Sequence, residues 1–503
     1  MVAKILSVAP VGFEGHLIEV ESDATKGLPS LQIVGMGNKA IDEAKERVKS
    51  AITNSLLEYP TRRITINLAP AELPKDGTHY DLPIALAILT SSGQLRHEEV
   101  ATAAFAGELA LDGSLRPIRG AITMAETAKN TGLGCIYLPE ANVQEATLVE
   151  GISVIGVSSL KALYLHLKQE IKLLESTTLP LQKPKALHDT PTLDDVHGQE
   201  QAKRALIIAA AGHHNILLTG PPGTGKTMLA RTLTGLLPPL LSAEQIAVTK
   251  LHSLAGETIN HVTSSRPFRA PHHTASRIAL IGGGAHPKPG EISLAHLGVL
   301  FLDEIPEYPR AVLEALRQPM EDKKIAVSRV NGHVSYPADF MLVATMNPCP
   351  CGFYGDMARE CTCTSTQILS YQRRLSGPLL DRIDLVVNVS RIPNDTLLEI
   401  QSVHKKQQND AISMIDIASQ RQRNRYKYSL KNNSNLTSRD IKTKLLLSPD
   451  VRTLLGAATD RLNLSARSYF KIIRVARTIA DLDDSTEITV QHISEALQYR
   501  QSS

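Results

Sequence analysis

The sequence NILLTGPPGTGKT occupies residues 215–227 and is followed by a run of residues with helical spacing. Its first five residues have the apolar pattern of a short buried strand. The next eight residues are rich in glycine and end in Lys226 and Thr227. A strand, a glycine-rich loop and a helix in this order are typical of a phosphate-binding loop, or P-loop. The stretch therefore predicts an α/β fold that binds a nucleotide at the end of this strand.

The loop residues predicted to bind the nucleotide are those whose backbone N–H groups surround the phosphates or whose side chains reach them. Lys226 should contact the β- and γ-phosphates, and Thr227 should bind Mg²⁺. Upstream, Val196 and Gly198 are expected to close over the adenine. A glycine turn without a ligand is the alternative. The predicted loop set is Gly220, Pro221, Pro222, Gly223, Thr224, Gly225, Lys226 and Thr227.

Two further predicted strands end in polar residues that suit nucleotide hydrolysis. The apolar segment VLFL, residues 299–302, is followed by Asp303 and Glu304. An acid at the carboxyl end of a parallel strand lies at the ligand edge of the sheet. Asp303 is expected to hold Mg²⁺ through water, and Glu304 to polarise the attacking water. A third strand, residues 340–344, precedes Asn347, whose amide can orient that water. A solvated acidic turn and an ordinary Asn-Pro turn are the alternatives.

Composition and charge limit the class of protein. The chain has 503 residues, 42% hydrophobic and 21% charged, which is ordinary for a globular protein but too long for one core. We find no uncharged apolar run near the ~20 residues that span a bilayer and no secretory leader, so a cytoplasmic protein without a membrane partner is expected. Residues 405–477 carry 16 Lys and Arg against 5 Asp, or +11, so the remainder sums to −8 because the net charge is +3. This basic segment indicates a polyanion partner such as nucleic acid, or equally a solvated helical surface.

The pattern along the chain predicts four segments. Residues 1–170 form an α+β unit, with strands at 64–68 and 135–138 and helices at 40–57 and 83–89. Residues 171–192, which include three prolines, form a linker. Residues 193–389 form the α/β unit around the P-loop. Residues 390–503 are mostly helical, with the clearest helices at 450–462, 466–482 and 490–498 and a flexible connection at 424–438.

Four of the five cysteines lie within 15 residues, in the pattern CPC-x9-CTC. Cys349, Cys351, Cys361 and Cys363 could complete the tetrahedral shell of a structural Zn²⁺. Free buried thiols, disulfide or redox chemistry and an iron–sulfur cluster are the alternatives. Cys135 lies in an apolar run and is expected in the core.

The set GPPGTGKT, LFLDE, ATMN and GPLLDRID (residues 377–384) resembles the AAA+ ATPases of the magnesium-chelatase branch. RPFRAPHHTAS (266–276), NPCPCG (347–352) and SARSYFKIIRVARTIADL (465–482) narrow the resemblance to the ComM/YifB family. The resemblance implies a hexameric ATPase that uses ATP and Mg²⁺ and acts on DNA as a helicase. Its expected role is branch migration of recombination intermediates during natural transformation. A chelatase-type motor that remodels a protein partner and a non-enzymatic DNA scaffold are the rival functions.

The same resemblance assigns two arginines to the active site. Arg382 matches the arginine finger that is donated to the γ-phosphate of a neighbouring subunit, which suits a planar and permanently charged guanidinium. A local pair between Arg382 and Asp384 is the alternative. Arg467 matches the sensor-2 arginine of the helical lid, with Arg474 as the competing candidate.

Two insertions are implied to face a central pore. The first, approximately residues 254–291, includes Arg266 and Arg269. The second, approximately 324–339, is a hairpin around Asn331-Gly332. The basic residues at the hairpin are Lys323, Lys324 and Arg329. Together with Arg266 and Arg269 of the first insertion, they are expected to contact the DNA backbone.

Residues 1–170 resemble the proteolytic domain of the Lon family through GHLIEVESDATKGLPSLQIVG and LPKDGTHYDLPIALAIL. The positions of the catalytic serine and lysine are occupied here by His79 and Ile122. A Ser–Lys mechanism needs a hydroxyl and a deprotonatable amine. We therefore expect an inactive domain that serves assembly or DNA binding.

Overall fold

The computed structural model describes residues 2–35, 40–73, 75, 77–176, 190–257, 263–284, 288–329, 332–356, 359–391, 406–426 and 432–500. For residues 40–42, 328, 329, 332 and 333 it describes the backbone alone. Most of the predicted linker, residues 177–189, lies outside these ranges. In the described part of the chain, no helix combines the length and the apolarity needed to cross a bilayer.

A seven-stranded mixed sheet forms the amino-terminal half, in the order β3-β4-β2-β1-β5-β8-β9. The pairs β1–β2 and β2–β4 are antiparallel, and the other neighbours are parallel. Its strands are β1 (Ala3–Val11), β2 (Glu14–Thr25), β3 (Ser30–Val34), β4 (Arg63–Ala69), β5 (Ala103–Phe105), β8 (Cys135–Pro139) and β9 (Ser153–Val157), with β6 (Glu108–Leu109) and β7 (Leu115–Arg116) as a separate pair. The helices are α1 (Ala40–Asn54), α2 (Asp81–Ser91), α3 (Ala121–Asn130), α4 (Val143–Ala146) and α5 (Leu160–Leu167).

The local pattern explains these elements. In β4 the side chains of Ile64, Ile66 and Leu68 alternate toward the core, as the two-residue period of a strand requires. Helix α2 is apolar on nearly all sides and lies buried against β1 and β2. The predicted strands at 64–68 and 135–138 and the predicted helices are confirmed. The linker begins later than predicted, because Glu175 pairs with Ile155 of β9.

The second sheet has five parallel strands in the order β11-β14-β17-β10-β18. They are β10 (Ile216–Thr219), β11 (Phe268–Arg269), β14 (Val299–Leu302), β17 (Met341–Met346) and β18 (Leu385–Asn388). Two hairpins are added, β12 (Gly282–Gly283) with β13 (Lys288–Pro289), and β15 (Lys324–Arg329) with β16 (Gly332–Pro337). The helices of this half are α6 (Glu200–Gly212), α7 (Lys226–Thr232), α8 (Ser242–Ala255), α9 (Arg277–Ile281), α10 (Glu291–Leu294), α11 (Arg310–Ala315), α12 (Arg317–Asp322), α13 (Ser365–Gln372) and α14 (Gly377–Leu380).

The carboxyl-terminal helices share one hydrophobic core with α6 and the P-loop strand, to which Leu206, Ile216, Ile415 and Ile479 contribute. The three predicted carboxyl-terminal helices are confirmed. The predicted flexible connection is wrong for residues 424–425, which end the helix Lys406–Arg425, and for residues 432–438, because Asn433 is fully buried there. The helices are α15 (Lys406–Arg425), α16 (Ser438–Lys444), α17 (Pro449–Leu462), α18 (Ala466–Leu482) and α19 (Val490–Gln498).

The amino-terminal unit contacts the P-loop unit through α8 and the β15–β16 hairpin. The Lys250 Nζ on α8 lies 2.5 Å from a carboxylate oxygen of Glu126 and 4.2 Å from the ring centroid of Phe13. The Gly120 N–H donates to the Ser253 hydroxyl at 3.1 Å. Val334 of the hairpin lies against the backbone at Gly12, where an added Cβ would approach its Cγ1 to 2.2 Å. The sequence patterns did not reveal this interface.

Candidate nucleotide-binding site

The three polar groups predicted around the nucleotide meet at one edge of the parallel sheet. Strand β17 pairs with β10 on one side and with β14 on the other, all in the same direction. Their carboxyl ends therefore lead side by side into the P-loop, into Asp303 and Glu304, and into Asn347. This is the edge at which open α/β sheets bind ligands.

The P-loop has backbone features that require glycine. An added Cβ at Gly220 would lie 2.1 Å from the carbonyl oxygen of Val389, so no larger residue fits there. Gly225 has φ of 83° and directly precedes α7. This left-handed conformation costs glycine little and lets the loop turn into the first turn of the helix. The helix then begins at Lys226 with its free N–H groups facing the loop.

Lys226 is held inside the loop by three acceptors. Its Nζ donates to the carbonyl oxygens of Gly220 at 2.6 Å and Pro221 at 2.8 Å, and to the Asn347 Oδ1 at 3.1 Å. Burial lowers the pKa of Lys226, and the charges of Asp303 and Glu304 oppose that shift. The loop thus presents a positive charge where the phosphates of a nucleotide would lie. Asn347 lies beside this charge, and its role in orienting the attacking water stays a prediction.

The acidic residues are organised by a threonine that sequence reasoning missed. The Thr227 hydroxyl lies 3.2 Å from one oxygen of Asp303, which fits a pair of hard oxygen ligands for Mg²⁺. The Thr345 hydroxyl donates to the other oxygen of Asp303 at 2.5 Å and accepts from the Glu304 N–H at 2.9 Å. Glu304 is exposed, with φ of 50°. A polar residue inside the apolar strand β17 was the available signal.

The upstream segment has a structural role in this chain. The Val196 side chain is buried in the hydrophobic core, and Gly198 has φ of 58° in the turn that leads into α6. The side chain of Gln199 donates to the Ser390 carbonyl oxygen at 2.5 Å, which joins this turn to the segment after β18. Contact of Val196 and Gly198 with adenine stays a prediction.

Arg382 and Arg467 lie together, but at the opposite edge of the sheet. Arg382 precedes β18, and its carbonyl oxygen accepts from Asn215, which precedes β10, at 3.0 Å. Both guanidinium groups contact the same oxygen of Glu321, with Arg382 at 2.6 Å. Together with Arg474 they line a cavity of about 610 Å³. This cluster is therefore at the amino ends of the strands, whereas the P-loop is at their carboxyl ends.

The alternative in which Arg382 pairs locally with Asp384 is wrong. The Asp384 carboxylate instead accepts from the Asn215 N–H at 3.2 Å and lies 3.3 Å from the Nδ1 of His214. Arg474 donates to the Ser434 carbonyl oxygen at 2.8 Å. Arg467, which shares a carboxylate oxygen with Arg382, is thus the arginine more directly joined to it.

The four clustered cysteines lie together, and their sulfur atoms are all within 4.8 Å of one another. The Sγ of Cys361 lies 3.7 Å from that of Cys349 and 3.6 Å from that of Cys351. Backbone N–H groups point at two of the sulfurs, with Tyr354 donating to Cys349 at 3.3 Å. The Phe353 backbone and other hydrogen bonds lower the pKa of the Cys351 thiol to about 5. A set of four sulfurs this close together fits a metal ion.

Two predicted DNA contacts are wrong. The side chain of Arg266 is 8% exposed and donates to the carbonyl oxygens of Pro238 at 2.6 Å and Leu297 at 2.7 Å. Arg269 is bound by the carboxylates of Glu257 and Glu291. Both guanidinium groups are therefore occupied within the protein and stabilise the insertion that carries them.

The predicted hairpin is present, but only part of its basic set can be located. Lys323 pairs with Asp339 at 2.8 Å, whereas Lys324 is exposed. The side chain of Arg329 and the turn at residues 330–331 lie outside the described residues. On the opposite face of the hairpin, Val327 and Val334 are buried.

The amino-terminal unit offers no nucleophile at the two positions compared with Lon peptidases. His79 is buried beside Tyr80, and burial lowers its pKa to about 4. Ile122 is fully buried in a second hydrophobic cluster of the same unit. Both residues serve the core.

Comparison with known proteins finds matches along nearly the whole chain, all to magnesium-chelatase-like proteins. Residues 192–397 match the family described as magnesium chelatase, subunit ChlI, residues 407–500 match its carboxyl-terminal family, and residues 20–142 match a further family for the same subunit. The chain is 42% identical to the competence protein ComM of Haemophilus influenzae over 99% of its own length and 97% of that protein. It is 44% identical to YifB of Escherichia coli over 98% of its length and 96% of that protein. The 38 kDa magnesium-chelatase subunit of Cereibacter sphaeroides is 26% identical over 42% of the chain and 63% of that protein.

Proposed function

Because the chain belongs to the magnesium-chelatase-like AAA+ family that includes ComM and YifB, we propose that it is an ATP-driven, Mg²⁺-dependent motor acting on DNA. The observation that carries the proposal is the edge where Lys226, Asp303, Glu304 and Asn347 meet. When bound, ATP supplies the phosphoanhydride bond whose hydrolysis drives movement. Lys226 binds its phosphates, Thr227 and Asp303 hold the Mg²⁺, and Glu304 and Asn347 orient and polarise the attacking water.

Assembly follows from the position of the two arginines. Arg382 and Arg467 are at the sheet edge opposite the P-loop, so neither is placed to contact a nucleotide bound to its own chain. A guanidinium at the γ-phosphate is what stabilises the charge that develops during transfer. We propose that each subunit donates this pair to the nucleotide of its neighbour, in a homohexameric ring of the kind that the family resemblance implies.

The proposed substrate of the motor is recombining DNA, single-stranded and branched. The support is the full-length similarity to a competence protein and the +11 charge of residues 405–477. Lys324 remains available on the exposed face of the hairpin. The proposed activity is helicase-driven branch migration during natural transformation. The proposed cytoplasmic location follows from a DNA substrate.

We also propose that the four cysteines hold one structural Zn²⁺. A tetrahedral zinc with Zn–S bonds of about 2.3 Å spaces its sulfurs by about 3.8 Å, close to the distances found here. The N–H groups that point at the sulfurs would stabilise their thiolate forms. Metal analysis distinguishes bound zinc from the alternatives, which are free thiols, disulfides and an iron–sulfur cluster.

The test measures ATP hydrolysis by the full chain with and without DNA, and then the dissociation of a synthetic four-way junction into duplexes by branch migration. We expect hydrolysis to rise when DNA is added. We expect the junction to dissociate only with ATP and Mg²⁺. A rate of hydrolysis that does not change when DNA is added would favour the second candidate, a chelatase-type motor that remodels a protein. That candidate rests on the distant similarity to a magnesium-chelatase subunit. ATP binding without any hydrolysis would favour a DNA scaffold.

A further inference from the structure

The cysteine loop, described at residues 349–356 and 359–363, lies directly against the P-loop. Gly352 has φ of 85°, and a Cβ added there would lie 2.7 Å from the Cδ of Pro222. The backbone of the cysteine loop therefore approaches the P-loop as closely as a glycine allows. Gly355 of the same loop also has a positive φ, of 78°, but faces open space.

The same loop is continuous with the strand that carries Asn347. Cys349 follows Asn347 by two residues, and Asn347 accepts the hydrogen bond from Lys226 at 3.1 Å. Cys349 is also the fully buried member of the cysteine set. Whatever fixes Cys349 thus also fixes the amide that contacts Lys226.

The far side of the loop is tied to the exit of strand β18. Asp356 pairs with Arg391 at 3.3 Å, and Arg391 lies 5.7 Å from the ring centroid of Phe353. Tyr354 is 53% exposed, so the loop buries little apolar surface of its own. A short loop without a core needs another source of rigidity, and a metal ion supplies one.

We propose that a zinc ion bound by Cys349, Cys351, Cys361 and Cys363 sets the affinity of the P-loop for ATP. The ion holds Gly352 against Pro222 and Asn347 beside Lys226, so the phosphate site is pre-organised before the nucleotide arrives. This inference rests on the proposed binding of ATP at the P-loop and adds a metal requirement to it.

The first experiment removes the metal from the full-length protein. Zinc content is measured by elemental analysis, and affinity by titration with a fluorescent ATP analogue. We expect about one zinc per chain, and a dissociation constant at least tenfold higher after removal with an organomercurial and a chelator. Reduction with thiol and addition of Zn²⁺ should restore the affinity. The control is Cys135→Ser, because this fifth cysteine lies in β8 and should change neither quantity.

The second experiment separates the metal from the contact. Gly352→Ala keeps all four cysteines but places a Cβ against Pro222, so it should retain zinc and bind the ATP analogue several-fold more weakly. Gly355→Ala introduces a side chain at a similar φ into open space and is the matched control. Thermal unfolding of both variants reports whether the fold is intact. If Gly352→Ala fails to fold, the metal-removal experiment still decides the proposal.

The outcomes distinguish this inference from the proposed function. Wild-type protein that contains zinc but binds no ATP would contradict the proposed function itself. Equal ATP affinity with and without zinc, while the wild type hydrolyses ATP, would overturn only the metal requirement. Iron, or no metal, in the purified protein would overturn the zinc assignment.

Discussion

Replacement of Glu304 should separate ATP binding from hydrolysis within one subunit. It is exposed, and its backbone N–H is fixed by the Thr345 hydroxyl, so the side chain is positioned without being buried. Glu304→Gln should hydrolyse ATP ~10²–10⁴-fold more slowly, because the amide cannot act as a base. Its affinity for ATP should stay near that of the wild type. Steady-state hydrolysis and nucleotide titration measure the two quantities.

The control for this prediction is Lys226→Ala, which should lose nucleotide binding as well. The lysine is the positive charge that the loop directs at the phosphates. Hydrolysis by Glu304→Gln at the wild-type rate would show that another group activates the water.

Glu145 carries a pH dependence of stability. Burial raises its pKa to about 7 from a usual 4.5, and hydrogen bonds from Ser253 and Asn142 offset part of this shift. Between these two pKa values the folded state retains a proton that the unfolded state has lost, so stability falls as the pH rises from about 4.5 to 7 and then levels off. Glu145→Gln should therefore be more stable than the wild type by ~1–3 kcal/mol at pH 8 and nearly equal at pH 4.5, at 1.36 kcal/mol per pKa unit.

Thermal or urea unfolding at the two pH values tests this prediction. The control substitution is Glu150→Gln, at an exposed position of the same unit. A constant difference between wild type and Glu145→Gln across this range would mean that the carboxyl binds its proton equally well in the folded and unfolded states.

Functional residues can be predicted from the sequence where they directly follow the strand that positions them. The P-loop, Asp303 and Glu304 follow their strands directly, so their meeting at one sheet edge could be predicted. The prediction that Arg266 and Arg269 contact DNA is wrong because their place in an insertion of the family does not show the carbonyl and carboxylate groups that surround them. Glu321 joins two arginines that lie 61 and 146 residues further along the chain, and no local pattern indicates such a contact.

At the scale of elements, the β15–β16 hairpin shows what a local pattern predicts and what it leaves out. The turn signal at residues 331–332 predicted the hairpin, and the paired strands confirm it. The pattern did not show that Val334 lies against Gly12 of the amino-terminal unit. Turn chemistry is local, whereas the surface against which a hairpin docks is tertiary.

This docking predicts that Gly12→Ala should destabilise the protein by ~1–3 kcal/mol, the usual cost of overpacking a filled site. The added methyl group would meet the Cγ1 of Val334, and φ at Gly12 is 64°. Gly132→Ala is the control, because Gly132 has φ of 82° with nothing within 4 Å. Unfolding of the two variants in urea measures the difference. Equal midpoints would show that the hairpin does not dock on this turn.

At the scale of the whole molecule, the order of strands in the seven-stranded sheet was not predictable. Strand β1 lies in the centre of that sheet although it comes first in sequence. Pairing of distant strands depends on buried surface contributed by the entire unit, and the spacing of apolar residues does not encode it. The parallel direction of the second sheet was easier to predict from the sequence, because strands that alternate with loops and helices allow few connections.

Assembly gives the prediction that belongs to this scale. If Arg382 completes the site of a neighbour, Arg382→Ala subunits should bind ATP normally and still lower the hydrolysis of wild-type subunits in mixed rings. Mixed with Glu304→Gln, which should be nearly inactive alone, Arg382→Ala should regain hydrolysis, because the arginine of one variant completes the intact nucleotide site of the other. Arg461→Ala, at an exposed position on α17, is the control and should lower nothing.

Hydrolysis by wild-type protein mixed with each variant, and by the mixture of Arg382→Ala with Glu304→Gln, measures this effect. No gain of hydrolysis in the mixture of Arg382→Ala with Glu304→Gln would contradict donation between subunits. Undiminished hydrolysis by diluted monomers would contradict it as well.

If Arg382 and Arg467 are donated to a neighbouring subunit, the carboxylate of Glu321 sets a threshold for that contact. In the single chain it already satisfies Arg382 and Arg467, so an incoming anion must compete with an internal one for the same two cations. A triphosphate presents more negative charge than a carboxylate and can win that competition, whereas a diphosphate lacks the terminal group that would take part in it. Such an interface would distinguish an ATP-bound neighbour from an ADP-bound one, because only ATP carries the terminal phosphate that can displace Glu321.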